Sequence, residues 1–189
     1  MKCGHTDASP RLAGRRQVLK MATLLAAASC STPALAALGT QQRSLAFVHL
    51  RTGERLETVY WLKGKYRSES LHAINHILRD HRADAARPID LDLLDLLYQI
   101  KHELRVDEPF QIISAYRTPA TNAWLRQRRS GVASHSFHMF GKAVDLRLAA
   151  RSLRELRQTA LKLQSGGVGY YPARGFVHLD VGPVRNWRS

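Results

Sequence analysis

The apolar residues in the first half of the chain follow two different periods. Alternation over residues 44–50 and 55–62, with turn residues 51–54 between them, predicts a β-hairpin. Apolar side chains then recur three and four positions apart, which is typical of helices. This spacing predicts one helix that opens at Ser68 and a second that Asp90 caps. The predicted core faces are Leu71, Ile74, Ile77 and Leu78, then Leu93, Leu94, Leu97 and Ile100.

The second half of the chain mixes short strands with helices. Thr118 and Pro119 begin a helix that extends to about Arg128, and a later helix covers residues 152–163. Residues 129–141 show no clear period and are predicted to form a loop. Strands are predicted over residues 110–114, 142–148 and 175–181. The pattern predicts an α+β fold, a single domain in which helices flank an antiparallel sheet.

The first 36 residues have the pattern of an export signal. A basic start precedes the short apolar run 21–28, and Ala34-Leu35-Ala36 forms a small-x-small cleavage site before Ala37. The pair Arg15-Arg16, with the residues after it, matches a twin-arginine signal, which implies export of an already folded protein. A chance arginine pair in an ordinary signal is the alternative.

Charge narrows the choice of partners. The chain has 29 Lys and Arg against 15 Asp and Glu, a net charge of +14. Removal of residues 1–36 takes away five basic residues and one acidic residue, so the rest keeps +10. Nucleic acid, anionic lipid and anionic cell-wall polymer all suit such a surface. The export signal and the lack of a nucleic-acid motif argue against nucleic acid, and no later segment is apolar enough to span a membrane.

A possible metal site depends on three residues. Both cysteines, Cys3 and Cys30, lie in the predicted signal, so the exported chain must use histidine and carboxylate ligands. His138 lies in the loop, Asp145 in the next strand and His178 in the last strand. Two imidazoles and one carboxylate suit zinc and leave a fourth position for water. Strand alternation could bring Asp145 and His178 to the same side of a sheet.

Spacing alone leaves a second interpretation open. His138 and His178 could be ordinary loop and strand histidines, with Asp145 paired to one of the many arginines. The pattern His-x6-Asp with a distant histidine is looser than His-Glu-x-x-His. On spacing alone, the metal site is therefore a hypothesis.

Several motifs together resemble a family of zinc peptidases. Ser136-x-His138-x-x-Gly141-x-Ala143-x-Asp145 is preceded by Ser114-Ala115-Tyr116-Arg117 and followed by Phe176-Val177-His178-x-Asp180. The set is similar to D-Ala-D-Ala dipeptidases and carboxypeptidases, and it most closely resembles the twin-arginine-exported, YcbK-like (MepK) murein endopeptidases. The resemblance extends over nearly the whole chain and includes Asn75-His76-x-x-Arg79-Asp80, residues 166–172 and Gly182-Pro183-x-Arg185-x-Trp187.

This resemblance implies both a fold and an activity. The fold would be hedgehog-like, with one zinc ion per chain held on the sheet by His138, Asp145 and His178. The activity would be hydrolysis of peptide cross-links in peptidoglycan, with stem peptides as partners and the periplasm as location. Arg117 takes the position of an arginine expected near the substrate, where it would stabilise an oxyanion. Its alternative role is to pair with an acid.

One departure from the family pattern concerns the catalytic base. Many relatives place an acidic residue three positions before the last zinc histidine, or a histidine two positions before it. Here Gly175 and Phe176 occupy those positions. Asp180 is expected on the same side of its strand as His178, so it could act as the base or could orient a zinc ligand.

The resemblance also suggests an organisation for the whole chain. We expect a signal peptide over residues 1–36, an N-terminal hairpin extension over 37–69 and a monomeric zinc peptidase domain over 70–189. Tyr170 is expected to contact substrate, and Tyr170 and Tyr171 could both line the cleft unless they are simple packing residues. His135 could relay a proton unless it is a solvated loop residue. Two other functions stay open: a D-Ala carboxypeptidase, and a non-catalytic, zinc-containing peptidoglycan-binding module.

Overall fold

The computed structural model describes residues 41–128 and 130–189, so the predicted signal and both cysteines lie outside the described residues. Within that part there are eight strands and four α-helices. The strands are β1 (Gln42–His49), β2 (Arg55–Leu62), β3 (Lys65–Tyr66), β4 (Phe110–Ser114), β5 (Ala143–Arg147), β6 (Gly167–Tyr171), β7 (Phe176–Asp180) and β8 (Arg185–Arg188). The helices are α1 (Ser68–Ile77), α2 (Leu91–Leu104), α3 (Pro119–Arg128) and α4 (Leu153–Leu163).

All eight strands form one sheet in the order β3-β2-β1-β4-β5-β7-β6-β8. The α+β class and the single domain are confirmed, and the predicted antiparallel sheet is confirmed in part, because most of its strand pairs are antiparallel. The sheet is mixed, because β1 pairs with β4 and β6 pairs with β8 in parallel. The chain passes through α1 and α2 before β4, and through β7 before β8. Such long connections, unlike tight hairpins, can bring a strand back in the same direction.

Local sequence signals account for where the helices begin. The Asp90 side chain accepts a hydrogen bond from the backbone N–H of Asp92, which caps α2 as predicted. At α4, Ser152 and Glu155 form a reciprocal capping box. These contacts satisfy backbone N–H groups that have no partner within the helix.

One hydrophobic core joins the sheet to α1, α2 and α4. From β5 and β7 it receives Val144, Leu146, Val177 and Leu179, none of which has exposed surface. Each such side chain contributes about 1.5–3 kcal/mol by leaving water. The alternate residues of these strands therefore project to the opposite face of the sheet. Among the described residues, no helix is both long and apolar enough to cross a bilayer.

A buried aspartate ties the end of α1 to the segment before α3. Asp80 Oδ2 accepts hydrogen bonds from the backbone N–H of Thr118 at 2.8 Å and from its hydroxyl at 2.9 Å. Two residues earlier, Tyr116 N donates to the Leu78 carbonyl oxygen at 3.0 Å. These bonds fix the short segment between β4 and α3, which carries Arg117.

Candidate metal centre

The structure brings His138, Asp145 and His178 together in one buried cluster. His138 Nε2 lies 3.2 Å from Asp145 Oδ1, and His178 Nδ1 lies 2.8 Å from the same oxygen. The two imidazole nitrogens are 3.2 Å apart. One ligand atom from each residue therefore faces a common point, and this group could hold a metal ion.

Asp145 and His178 are neighbours because β5 and β7 pair with each other. The register sets Asp145 directly opposite His178, and such cross-strand partners project to the same face. Val144 and Leu179, paired with each other beside them, project into the core on the other face. A shift of one residue would exchange the two faces, so the apolar core fixes the position of the polar pair.

His138 reaches the cluster from a short 3₁₀ turn, Phe137–Phe140. Gly141 closes this turn with φ of +69°, in the left-handed region that favours glycine. A Cβ at this position would collide with the Pro88 carbonyl oxygen. Glycine therefore lets the turn approach the rest of the domain closely and hold His138 over the sheet.

Hydrogen bonds behind the two rings decide which nitrogen faces the cluster. His138 Nδ1 lies 2.6 Å from the Ala115 carbonyl oxygen, and His178 Nε2 lies 3.0 Å from Asp180 Oδ2. These oxygens only accept, so the two nitrogens carry the hydrogens. His138 Nε2, His178 Nδ1 and Asp145 Oδ1 then face one another, and each would offer a lone pair to a metal ion that replaces the proton between His178 and Asp145. A metal ion fits this arrangement, because it binds all three lone pairs at once.

The protonation states agree with a set of metal ligands. Burial lowers the pKa of His138 to about 4, and the charge of Arg117 acts in the same direction. Burial alone would raise the pKa of Asp145, but its interactions with His138 and Arg117 hold it well below the ordinary value. For His178, burial acts to lower the pKa, yet hydrogen bonds to Asp145 and Asp180 outweigh it and raise the pKa. A metal ion would displace the proton that His178 attracts.

Asp180 lies on the side of His178 that faces away from the cluster. Its carboxylate is fully buried and accepts from His178 Nε2, from the backbone N–H groups of Gly167 and Gly182, and from two nitrogens of Arg185. Burial alone would raise the pKa of Asp180, but the bonds from His178 and Arg185 hold it below the ordinary value. Asp180 is therefore an ionised acceptor that fixes the orientation of the His178 ring.

Arg117 lies at the edge of the cluster. Its guanidinium forms an ion pair with Asp145 Oδ2, and its Nε donates to Ser114 Oγ at 2.8 Å. Its backbone N–H donates to the His138 carbonyl oxygen at 3.2 Å. The side chain also lines the cleft above the cluster. The pairing with an acid that the sequence left as an alternative is thus observed, in a position that still borders the cleft.

A cleft of about 190 Å³ opens above the cluster. His135, Tyr171 and Trp187 form part of its wall. Trp187 Nε1 donates to the Tyr171 hydroxyl at 2.8 Å, and the Trp187 ring lies 5.2 Å from the ring of His178. The aromatic pair therefore joins the metal ligands to the outer wall of the cleft.

Tyr170 does not take the position expected from the sequence. It pairs with Val177, a core residue, and packs against the hydrophobic core rather than lining the cleft. Strand alternation sends the next residue, Tyr171, to the opposite face. Of the two tyrosines that the sequence offered for the cleft, Tyr171 lines it and Tyr170 packs against the core.

Sequence reasoning also missed Arg185 and Trp187 as parts of the site. Both lie on β8, a short polar strand at the edge of the sheet that has no clear hydrophobic alternation. The available signal was the terminal motif Gly182-Pro183-x-Arg185-x-Trp187, which belonged to the resemblance but had no assigned role. The parallel pairing of β8 with β6 brings Arg185 to Asp180 and Trp187 beside His178, which the sequence alone does not show.

The buried histidine–aspartate–histidine cluster at the base of the cleft could hold a metal ion, and a metal ion in such a place can activate water, which suits a metal-dependent hydrolase. Comparison with known proteins agrees with that class. The chain belongs to the M15 peptidase family described as Peptidoglycan L,D-endopeptidase MepK, whose model matches residues 37–187. This confirms the family that the sequence motifs indicated.

Relatives of the same description cover most of the chain. The Escherichia coli (strain K12) protein Peptidoglycan L,D-endopeptidase MepK is 41% identical over 177 residues, which are 93% of this chain and 97% of the relative. The Shigella flexneri protein of that name has the same identity and coverage. A Haemophilus influenzae protein named Probable peptidoglycan L,D-endopeptidase MepK is 36% identical over 148 residues, 78% of this chain and 80% of that protein.

Proposed function

We propose that this protein is a zinc-dependent endopeptidase that hydrolyses L,D cross-links between the stem peptides of peptidoglycan in the periplasm. The observation that carries the proposal is the convergence of three lone pairs from His138, Asp145 and His178 at the base of the cleft. The names of the relatives supply the substrate class and the bond type. Two imidazoles and one carboxylate suit zinc, with one ion per chain.

In this proposal the three ligands hold the zinc ion, and the other residues position groups around it. When bound, zinc would supply a water of lowered pKa and would polarise the peptide carbonyl. Asp180 holds His178 through Nε2 and keeps Nδ1 facing His138 and Asp145. Arg117 holds Asp145 and borders the cleft, where its charge stabilises a developing oxyanion. Tyr171 contacts substrate in the place first given to Tyr170.

The contacts of Asp180 favour its orienting role over a role as base. Both of its oxygens already accept hydrogen bonds, and it lies behind the ring of His178. His135 is the better proton acceptor, because its exposed ring lines the cleft. Its Nδ1 lies 3.2 Å from Ser134 Oγ, and within the described part of the chain its Nε2 has no hydrogen-bond partner. We therefore assign proton transfer to His135 Nε2.

Export is the part of the proposal that depends on the first 36 residues. The twin-arginine motif and the small-x-small site before Ala37 support delivery of a folded chain to the periplasm. Substitution of Arg15 and Arg16 by lysine should leave an uncleaved precursor in the cytoplasm. Cell fractionation with N-terminal sequencing measures this, and a mature periplasmic product from the double variant would contradict export by the twin-arginine route.

The activity is tested by incubating purified protein with muropeptide dimers, with and without a chelator. We expect dimers to become monomers, the chelator to stop the reaction, and added zinc to restore it. Release of single D-alanine residues without loss of dimers would instead indicate the carboxypeptidase. Stoichiometric zinc binding with no cleavage of any dimer would indicate the non-catalytic binding module. His138→Ala should lose stoichiometric zinc binding and dimer cleavage, whereas the control His72→Ala, at an exposed histidine of α1, should keep both.

A further inference from the structure

The cleft above the metal centre has a strongly unbalanced charge. Among the described residues of its wall, Asp145 is the single carboxylate, whereas arginines come from five separate positions. A second, shallower hollow adjoins the cleft and shares part of its wall, and its described lining contains no acidic residue. The arginines of the cleft are Arg51, Arg82, Arg117, Arg174 and Arg185, and the hollow adds Arg128.

Some of these arginines already have anionic partners within the protein. Arg117 is paired with Asp145, and Arg185 forms two bonds to Asp180. The three arginines of the adjoining hollow differ, because among residues 41–128 and 130–189 no carboxylate forms an ion pair with them. Two of them contact aromatic rings: the Arg128 guanidinium lies 4.5 Å from the ring centre of Trp124, and that of Arg174 lies 5.7 Å from the ring centre of Tyr171.

Three separate parts of the fold bring these side chains together. Arg51 lies in the turn between β1 and β2, Arg128 ends α3, and Arg174 lies in the short turn between β6 and β7. All three side chains are exposed, so water weakens their mutual repulsion, and together they give the hollow a positive potential that attracts an anion. Arg51 and Arg174 line both the hollow and the cleft above the histidine–aspartate cluster, so a molecule bound in the cleft could place an anionic group in the hollow.

The rest of the lining indicates what kind of anion fits. Ile113 and the nearly buried Phe176 give the hollow an apolar floor, and both residues also line the metal cleft. Guanidinium groups bind carboxylates with two parallel hydrogen bonds. An apolar floor beneath cationic donors suits an aliphatic side chain that ends in a carboxylate.

We propose that Arg51, Arg128 and Arg174 form a subsite for a free carboxylate of an acidic peptide substrate, beside the metal centre. The inference rests on the proposed peptidase function and adds its specificity: the enzyme prefers stem peptides whose residues next to the cleaved bond keep their carboxylates free. Amidation of those carboxylates removes the charge and the second acceptor oxygen, so amidated cross-links are poor substrates.

The test compares muropeptide dimers whose carboxylates are free with the same dimers after amidation. For the wild-type enzyme we expect kcat/KM to be roughly 10- to 100-fold higher for free dimers, the range for hydrogen bonds to charged groups. In Arg51→Gln/Arg174→Gln the preference should fall to about one, mainly through KM, with zinc content unchanged. Arg87→Gln/Arg154→Gln, at two exposed arginines outside this cleft, removes the same charge and should keep the preference.

A binding measurement separates failure of the subsite from failure of the proposed function. Calorimetry with the zinc-loaded full chain and muropeptide monomers, which carry no cross-link, requires no cleavage. The subsite is supported if the wild-type protein binds monomers with free carboxylates more tightly than amidated ones and Arg51→Gln/Arg174→Gln loses this difference, even if no dimer is ever hydrolysed. The subsite is overturned if the wild-type protein binds both monomers equally, even if dimers are cleaved. It is also overturned if the control variant Arg87→Gln/Arg154→Gln loses the difference to the same extent.

Discussion

His178 Nε2 and Asp180 Oδ2 lie 3.0 Å apart on the side of the imidazole ring that faces away from the metal ligands. Because a carboxylate can only accept, this contact places a ring hydrogen on Nε2, and Nδ1, which faces Asp145 Oδ1, is the nitrogen that could bind a metal in exchange for a proton. Strand alternation allows two roles for Asp180: it could act as the catalytic base, or it could hold the ring of the zinc ligand His178. The observed hydrogen bond favours the second role.

The two roles of Asp180 make different predictions for Asp180→Asn. If Asp180 orients His178, zinc affinity should fall by roughly 10- to 100-fold and saturating zinc should restore much of the activity. If Asp180 were the base, the zinc affinity of Asp180→Asn would equal that of the wild type, and its activity at saturating zinc would be lost. Zinc titration in competition with a chromogenic chelator, followed by dimer hydrolysis, separates the two. Asp107→Asn, at an exposed position, is the control.

Loss of Arg185 should weaken zinc binding without touching a ligand. Arg185→Gln removes the two guanidinium bonds that hold Asp180, so the His178 ring loses part of its support. We expect zinc affinity to drop by up to about tenfold, less than for Asp180→Asn. Arg188→Gln on the same strand is the matched control. A zinc affinity equal to that of the wild type would mean that the backbone N–H groups of Gly167 and Gly182 hold Asp180 in place without Arg185.

The two neighbouring tyrosines should respond differently to loss of the hydroxyl. Tyr171→Phe removes the acceptor of the Trp187 indole and should reduce kcat/KM by about 3- to 30-fold, since a lost hydrogen bond costs roughly 0.5–2 kcal/mol. Tyr170→Phe should be close to neutral, because that ring packs on the core face. Steady-state kinetics on muropeptide dimers measure both. The reverse order of effects would restore the assignment made from sequence.

Gly141 should be more sensitive to substitution than another glycine with positive φ. Gly141→Ala forces a left-handed alanine and also a collision with Pro88, so the unfolding free energy should fall by about 2–4 kcal/mol. Gly64 also has a positive φ, +83°, but open space surrounds it. Gly64→Ala should therefore lower the unfolding free energy by only about 1 kcal/mol. Urea denaturation of both variants isolates the collision. Equal losses of unfolding free energy in the two variants would show that the backbone at Pro88 moves away from the new Cβ at little energetic cost.

Asp80 should make stability depend on pH in the acid range. Burial would raise the pKa of Asp80, but hydrogen bonds from Thr121 and Thr118 lower it overall. A lowered folded-state pKa contributes stability above the unfolded value of about 3.9 and loses it as pH falls through the folded value. Asp80→Asn should therefore be less stable at pH 6 and show a smaller further loss towards pH 3, measured by urea denaturation. An unchanged pH dependence would contradict this role.

The strongest local signals predicted the fold well. The Asp90 cap, the Ser152 start of α4 and the alternation in β4 and β7 gave elements close to those observed, because backbone and burial preferences act within a few residues. Alternation also placed Asp145 and His178 on one face, which the register of β5 and β7 confirms.

Long-range pairing and exact contacts could not be predicted from the same signals. β3 and β8 are short, polar edge strands, which need no hydrophobic alternation because one side meets solvent. A shift of one residue in the register of β6 would exchange Tyr170 and Tyr171. The role of Asp180 depends on the distance between its carboxylate and His178 Nε2. Sequence periodicity fixes a face of a strand but not the neighbour across it.

The direct pairing of Asp145 with His178 has an evolutionary consequence. The two residues are 33 positions apart along the chain, yet they are held together by the hydrogen bonds of adjacent strands rather than by the connection between them. Residues can therefore be inserted or deleted in the exposed turn after α4, at Gln164 and Ser165, without changing the distance between the ligands. Homologues of different length can diversify this connection while they keep the same chemistry.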